Sequence, residues 1–256
     1  MTSPAVPSIA ELVAPAAWRT VDFISDLHLQ AAEPETFEAW RRYMAGTPAD
    51  AVFILGDLFE VWVGDDAAAA PGFANDCAAV LQAASSRAPV FFMHGNRDFL
   101  VGEGFLSACR VTLLPDPTVL DFADKRWLLT HGDALCLDDT EYMRFREQVR
   151  SPEWQREFLA KPLAQRQAVA RQLREQSESR KRSGIEYADV DGPAALAWLE
   201  AADAYAMIHG HTHKPAEHLL GARSRTVLSD WDAAAQPPRL EALRLTAEGA
   251  RRVPLT

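Results

Sequence analysis

Cysteine is scarce in this chain: only Cys77, Cys109 and Cys136 occur among 256 residues. They are odd in number and unclustered, which excludes a disulfide framework and a thiolate metal site and fits a reducing compartment. Long apolar runs are missing too. Stretches such as Ala51–Leu55 and Val90–Met93 fall far short of the roughly 20 residues a membrane span needs. Residues 1–18 are rich in Ala and Pro and have no basic start followed by an apolar core, so no secretory signal is expected. Positive charge is in deficit, with 26 Lys and Arg against 36 Asp and Glu and a net charge of −10. A general nucleic-acid binder is usually basic, so nucleic acid is not an expected partner. The remaining composition, 48% apolar and 24% charged, is globular and excludes a disordered or collagen-like chain.

What is present is a regular alternation. Short apolar runs predict buried strands at 21–25, Ala51–Leu55, Val90–Met93, 118–121, 127–130 and 204–208. Amphipathic stretches predict helices at 35–45, 76–86 and 193–202, and β-like segments lie near 225–229 and 239–245. From Asp139 to about Ser183 nothing resembles a strand; Arg, Gln, Glu, Ala and Leu dominate, all good helix formers. The pattern predicts an α/β layered domain over 20–138 and 184–256, with a helical insertion over 139–183.

Each early strand runs straight into a small polar cluster. These are Asp26-Leu27-His28, Gly56-Asp57, His94-Gly95-Asn96-Arg97-Asp98, His131-Gly132-Asp133 and His209-Gly210-His211-Thr212-His213. Any one of them is ordinary turn chemistry. Five of them at five strand ends converge on one place, because ligands bind at the carboxyl ends of strands in α/β sheets. Imidazole, carboxylate and amide oxygen without thiolate suit manganese, iron or zinc. Asp26, His28, Asp57, Asn96, His131, His211 and His213 are too many ligands for one ion and suffice for two if a carboxylate bridges. Paired ions clamp the attacking and leaving oxygens of an in-line displacement at phosphorus, and coordination lowers the pKa of water.

In that order, the five blocks resemble the calcineurin-like metallophosphoesterases, and they span Asp26 to His213. The resemblance implies a β-sandwich flanked by helices. It implies one ion on Asp26, His28, Asp57 and His213, a second on Asp57, Asn96, His131 and His211, and His209 as a support for its loop. Many members carry Gly-Asn-His where this chain has Arg97. Arginine stays charged and cannot act as a general acid, but it can grip phosphate bidentately. A leaving group that needs no proton is therefore expected, which fits a pyrophosphate better than an alkyl ester.

The wider wording is similar to one branch of that family, which cleaves a UDP-linked diacylated glucosamine during lipid A biosynthesis. The matching residues run through Ser25–Leu29, Ile54–Glu60 to Asp66, His94–Leu100, Thr112–Pro115, His131–Asp139 and Ile208–Pro215. That similarity implies two Mn2+ ions, catalytic roles for Asp57, Asn96 and Arg97, and release of UMP. It implies substrate contacts from Asn96, Arg97, Asp139, Arg174, Ser177, Lys181 and His211. It also implies a monomer in the cytoplasm, peripheral on the inner membrane. A metallophosphodiesterase acting on a nucleotide or cyclic nucleotide is the alternative. The insertion points toward lipid on its own account: residues 144–182 hold eleven basic and five acidic residues interleaved with Phe145, Trp154, Phe158, Leu159, Leu163 and Leu173. A basic helical segment with an apolar face suits acyl chains and an anionic membrane surface. The tail segment 228–232 departs from the family wording and has no assigned role.

Overall fold

The computed structural model describes residues 6–182 and 188–255, with the side chains of 174–182 left aside. The chain begins with β1 (Ala10–Val13), β2 (Thr20–Ile24), α1 (Pro34–Gly46), β3 (Ala51–Leu55), α2 (Phe73–Ser85) and β4 (Val90–Met93). It continues through α3 (Glu103–Ala108), β5 (Val111–Leu114), β6 (Thr118–Phe122) and β7 (Lys125–Thr130) to α4 (Thr140–Arg150), α5 (Pro152–Leu159) and α6 (Leu163–Arg182). It ends with α7 (Gly192–Ala201), β8 (Ala206–His209), β9 (Glu217–Leu220), β10 (Arg223–Val227), β11 (Glu241–Thr246) and β12 (Gly249–Pro254).

The strands form two six-stranded sheets, β1-β6-β7-β8-β10-β9 and β12-β11-β2-β3-β4-β5. Side chains alternate faces along a strand, and here both faces are covered. Ala51, Phe53 and Leu55 of β3 join Phe23, Phe91 and Met93 in the core between the sheets. Val52 and Ile54 of the same strand face Trp40, Met44 and Leu81 of α1 and α2. Phe53 stacks between Phe23 at 5.1 Å and Phe91 at 4.7 Å. On the far sheet, Leu128 and Met207 pack under Ala195, Trp198 and Leu199 of α7. The result is the expected α/β architecture, two sheets face to face with helices outside. Burial on both faces explains why β2, β3 and β4 read as unbroken apolar runs.

Helices α4 and α5 start at side-chain caps: Asp139 accepts from the Tyr142 amide and Ser151 from the Trp154 amide. These caps satisfy amides that have no partner inside the helix. Phe158 joins the core on the α1–α3 side, where Trp154, Leu163 and Val169 also pack. Arg166, only 2% exposed, bonds the Val63 and Lys161 carbonyls and the Asp66 carboxylate, tying the start of α6 to the loop after β3.

The elements with no clear apolar signature are edges or short. Strand β1 alternates half-buried with exposed positions at a sheet edge, and β12 carries Arg251 and Arg252 at the edge of the other sheet. Helix α3 has six residues.

Candidate metal centre

Strands β2, β3 and β4 are parallel neighbours in one sheet, and β7 and β8 in the other. Their carboxyl ends therefore open on the same side and deliver all five polar clusters. The chain must turn sharply off each strand to present them. Asp26, His28, Asp57, His211 and His213 have φ of 55°, 49°, 52°, 67° and 52°, in the left-handed region. Each such residue costs about 1 kcal/mol or more and persists only where its surroundings hold it. Five of the seven candidate ligands share that strained backbone, and the other four non-glycine residues with positive φ, Arg110, Ala123, Asp124 and Asp203, lie in turns elsewhere. Glycine sits beside them for a steric reason. A Cβ on Gly95 would collide with the backbone and carboxylate of Asp57, and one on Gly210 with the Asp26 carboxylate and Ser25 Oγ.

The side chains meet in two groups. In the first, His28 Nε2 lies 3.1 Å from His213 Nε2, and His213 Nε2 lies 3.4 Å from Asp26 Oδ1. In the second, Asn96 Oδ1 lies 3.1 Å from His131 Nε2 and 2.8 Å from His211 Nδ1, and Asp57 Oδ1 lies 3.8 Å from His131 Nε2. Asp26 also reaches the second group, since ligand atoms of Asp26, Asp57 and His131 all lie within 4.8 Å of one another. The structure thus brings together all seven residues singled out in the sequence.

The donor chemistry fits a cation. His131 Nδ1 is 2.9 Å from the Leu55 carbonyl oxygen, which only accepts, so Nδ1 holds the proton. His131 Nε2 then turns a lone pair toward the oxygens of Asn96 and Asp57. Either a proton on Nε2 or a positive ion among the three atoms relieves this meeting of acceptors. His28 repeats the arrangement. Its Nδ1 is 3.2 Å from Glu60 Oε2, and its Nε2 faces His213 and the Asp26 carboxylate side.

Electrostatics follow from the crowding of carboxylates. Burial alone would lower the His131 pKa, but the charges of Asp57, Asp133 and Asp26 outweigh it and push it up to about 9. Burial likewise opposes protonation of His28, and Glu60, Asp57 and Asp26 raise it nonetheless. Burial works against ionising Asp26, yet the His213 hydrogen bond and the surrounding histidines hold its carboxyl well below the usual range. His211 is driven down to about 4 by burial and by the charge on His131. The Asp57 charge acts on His28 in one group and on His131 in the other.

Several side chains not singled out in the sequence hold the site in place. Glu60 faces His28 at 3.2 Å and Arg97 at 3.8 Å. Asp98, fully buried, accepts from the amides of Leu58 at 2.7 Å and Gly95 at 2.8 Å, joining the loops that carry Asp57 and Asn96. Asp230 lies 3.7 Å from His213 Nδ1, and the Trp231 amide donates to the Asp26 carbonyl, which gives the tail segment a place beside the first group. Burial makes each buried carboxylate depend on its donors, and a sequence does not say which donors will face it.

The other expectations divide. The Arg97 amide donates to Asp57 Oδ1 at 2.8 Å, and its guanidinium stays at the site beside Glu60. His209 lies behind the site. Its Nε2 faces the Arg225 guanidinium at 3.1 Å, which only donates, so its Nδ1 donates to the Gly210 carbonyl at 2.9 Å. Asp139 is 3.0 Å from the Tyr142 amide as the cap of α4. Arg174, Ser177 and Lys181 fall on α6, and their side chains lie outside the described residues.

A family model described as calcineurin-like phosphoesterase matches residues 19–215. The chain is 46% identical over 220 residues to a Chromobacterium violaceum protein named UDP-2,3-diacylglucosamine hydrolase, covering 82% of this chain and 90% of that one. A Bordetella pertussis protein of the same name is 43% identical, covering 84% of this chain and 87% of its own length. Another of that name, from Xanthomonas axonopodis pv. citri, is 43% identical over 248 residues, 90% of this chain and 97% of that one.

Proposed function

The chain belongs to the calcineurin-like phosphoesterase family, and from that premise we propose that it hydrolyses the pyrophosphate of UDP-2,3-diacylglucosamine, releasing UMP and 2,3-diacylglucosamine 1-phosphate in lipid A biosynthesis. The observation that carries the catalytic half is the convergence of metal-ligating atoms: imidazole nitrogens, carboxylates and an amide oxygen face one another at 2.8–3.8 Å. The names of the relatives and their coverage of nearly the whole chain support the substrate.

Asp26, His28, Asp57 and His213 would hold one divalent ion, and Asp57, Asn96, His131 and His211 the other. Asp57 is the shared ligand in this reading; its charge acts on a histidine in each group, as does that of Asp26. Nitrogen and oxygen donors suit Mn2+. Bound there, two such ions supply an attacking water of lowered pKa and neutralise charge on the phosphoryl oxygens. The protein's own contribution is positional. Strand ends hold the ligands on rigid backbone. Arg97 lies next to Asn96 and is steered by Glu60; it grips a phosphate oxygen and offers no proton to the leaving group. None is needed, because a sugar phosphate leaves as a stable anion. Residues 20–138 and 184–256 form the catalytic core, and 139–183 cap it over the acyl chains, with Asp139, Arg174, Ser177, Lys181 and His211 as further substrate contacts. Exposed Phe145, Leu159 and Leu173 line α4–α6 and suit a lipid-bearing substrate at the inner-membrane surface. No helix among the described residues is long and apolar enough to cross a membrane; the proposed location is the cytoplasmic face of the inner membrane, with the chain as a monomer.

The test is UMP release from UDP-2,3-diacylglucosamine by the purified chain, with Mn2+ and with chelator. Release that depends on Mn2+ is expected. Turnover of a generic phosphodiester without UMP release would keep the metal centre and discard the lipid substrate.

A further inference from the structure

Helix α4 carries Tyr142, Arg146 and Arg150 four residues apart, so all three lie on one face. That face meets the metal centre, and it meets only half of it. The Tyr142 hydroxyl donates to Asp133 Oδ2 at 2.6 Å and Arg146 Nε donates to the same oxygen at 2.8 Å. Asp133 is fully buried and stands two residues after His131. Arg150 Nη2 lies 3.8 Å from Asp133 and donates at 2.8 Å to the carbonyl of Gly95, the residue before Asn96. Its guanidinium also lies 5.2 Å from the centre of the Phe99 ring. The Tyr142 ring stacks on His211, with centroids 5.9 Å apart and planes 28° from parallel. Contacts from one helix face therefore reach the immediate surroundings of Asn96, His131 and His211. Among the described residues, Tyr142, Arg146 and Arg150 make no hydrogen bond, ion pair or ring contact with Asp26, His28 or His213. The flanks of that other group come from Glu60 and Asp230.

We propose that Arg146, Arg150 and Tyr142 are positioning residues for one metal subsite only, so that the seating of α4 sets the affinity of the ion held by Asn96, His131 and His211 and leaves the other ion alone. This rests on the two-ion reading above. The physical reason is that the Asp133 carboxylate is buried and cannot be left without its donors. If α4 withdraws, Asp133 must move toward water, and the loop bearing His131 moves with it. Because coupling between two binding events is reciprocal, a substrate that presses α4 down tightens the second ion, and the second ion holds α4 down for the substrate. The first ion takes no part.

The experiment is Mn2+ titration of the metal-stripped full chain, counting sites and affinities from the electron paramagnetic resonance signal of the free ion. The unaltered chain is expected to bind two ions. Arg146→Gln is expected to bind one with unchanged affinity and the other at least tenfold more weakly, and Arg146→Lys to recover part of that loss. Tyr142→Phe removes a single hydroxyl and carries the same test should Arg146→Gln fail to give a cooperative melt. The subsite is identified by pairing. In a His211→Ala background Arg146→Gln adds nothing; in a His213→Ala background it removes the remaining tight ion. A merely structural role would weaken both ions together, and that result overturns the proposal. So do two ions bound by Arg146→Gln and Tyr142→Phe with the affinities of the unaltered chain. An unaltered chain that binds no pair of ions instead overturns the two-ion reading beneath it, a distinct outcome.

Discussion

The strongest single consequence of the site's geometry is that rising pH must destabilise the metal-free chain more than the metal-loaded chain. His131 is fully buried. Burial disfavours its charged form, but Asp57, Asp133 and Asp26 together raise its pKa to about 9 in the metal-free protein. An unfolded histidine titrates near 6.5. A folded pKa above the unfolded one stabilises the fold fully below pH 6.5, and that stabilisation is lost as pH rises through 9. Between pH 7 and pH 9 the loss is about 2 kcal/mol by proton linkage, which for a chain of this size lowers Tm by roughly 4–8 °C. Burial also raises the thiols of Cys77, Cys109 and Cys136, and against its burial His28 is raised by Glu60, Asp57 and Asp26. These groups lose stabilisation in the same direction as pH rises, so the His131 share is read as the difference from a His131→Gln variant. His209 and His211, depressed to about 4 chiefly by burial, contribute a stabilisation that is complete once the unfolded histidine has titrated. Asp98, raised to about 7 by burial and by Asp57, has lost most of its contribution by the start of the window. Metal binding cancels the His131 loss, because the proton on His131 Nε2 must leave before an ion can enter. Mn2+ affinity should fall about tenfold per pH unit below 9 from this group alone. Differential scanning calorimetry under argon at pH 7, 8 and 9, with chelator and with Mn2+, should therefore give Tm values that fall more steeply with pH in the chelator series than in the Mn2+ series. Parallel slopes would refute the reasoning, as would a His131→Gln variant whose metal-free slope is as steep as that of the unaltered chain.

Asp22 offers a control far from the chemistry. It is buried, accepts two bonds of 2.8 Å from Arg244, and is bonded by Tyr43 and Thr47; Asp22→Ala should cost about 3–5 kcal/mol, read as a fall in the urea midpoint, with turnover of the folded fraction unchanged. Asp57→Ala should reduce UMP release at least about a hundredfold, the usual scale for an essential stabilising group, and activity above that level would remove Asp57 from the shared position. Leu159→Glu with Leu173→Glu, both on exposed surface of the insertion, should lower turnover of the diacylated substrate at least tenfold; an equal loss on a short water-soluble phosphodiester would show general damage instead.

How much of this was legible in the sequence depends on what each residue faces. Strands β3 and β4 were legible to the residue because apolar side chains cover both their faces. Strands β1, β9 and β12 were not, because edge strands alternate with solvent and carry charge. The seven candidate ligands were legible because each stands just beyond a strand or in a tight cluster after one. The left-handed backbone of five of them leaves no trace in residue type except the neighbouring glycines. Asp98 and Asp133 stand in the polar clusters and Asp230 in the tail, but the supporting role of their carboxylates was not legible, since it depends on groups that are distant in the chain.

The basic insertion shows the same limit in a way that bears on membrane contact. Counting charges over 144–182 gives eleven basic against five acidic residues, an apparent excess turned outward to anionic lipid. Three of those cations face inward. Arg146 and Arg150 are held by Asp133 and the Gly95 carbonyl, and Arg166 by Asp66 and two backbone carbonyls. A basic residue near an anionic bilayer is worth about 1 kcal/mol, so withdrawing three of them removes roughly half of the attraction the sequence suggests. Charge alone then gives weak, salt-sensitive binding, and the apolar surface at Phe145, Leu159 and Leu173 must supply the rest. Co-sedimentation with vesicles containing phosphatidylglycerol should accordingly fall only in part when the salt concentration is raised. Replacing Leu159 and Leu173 with Glu should abolish what remains. Complete release by salt alone would mean that the inward arginines are available to lipid after all, and that α4 does not stay seated on Asp133 at the membrane.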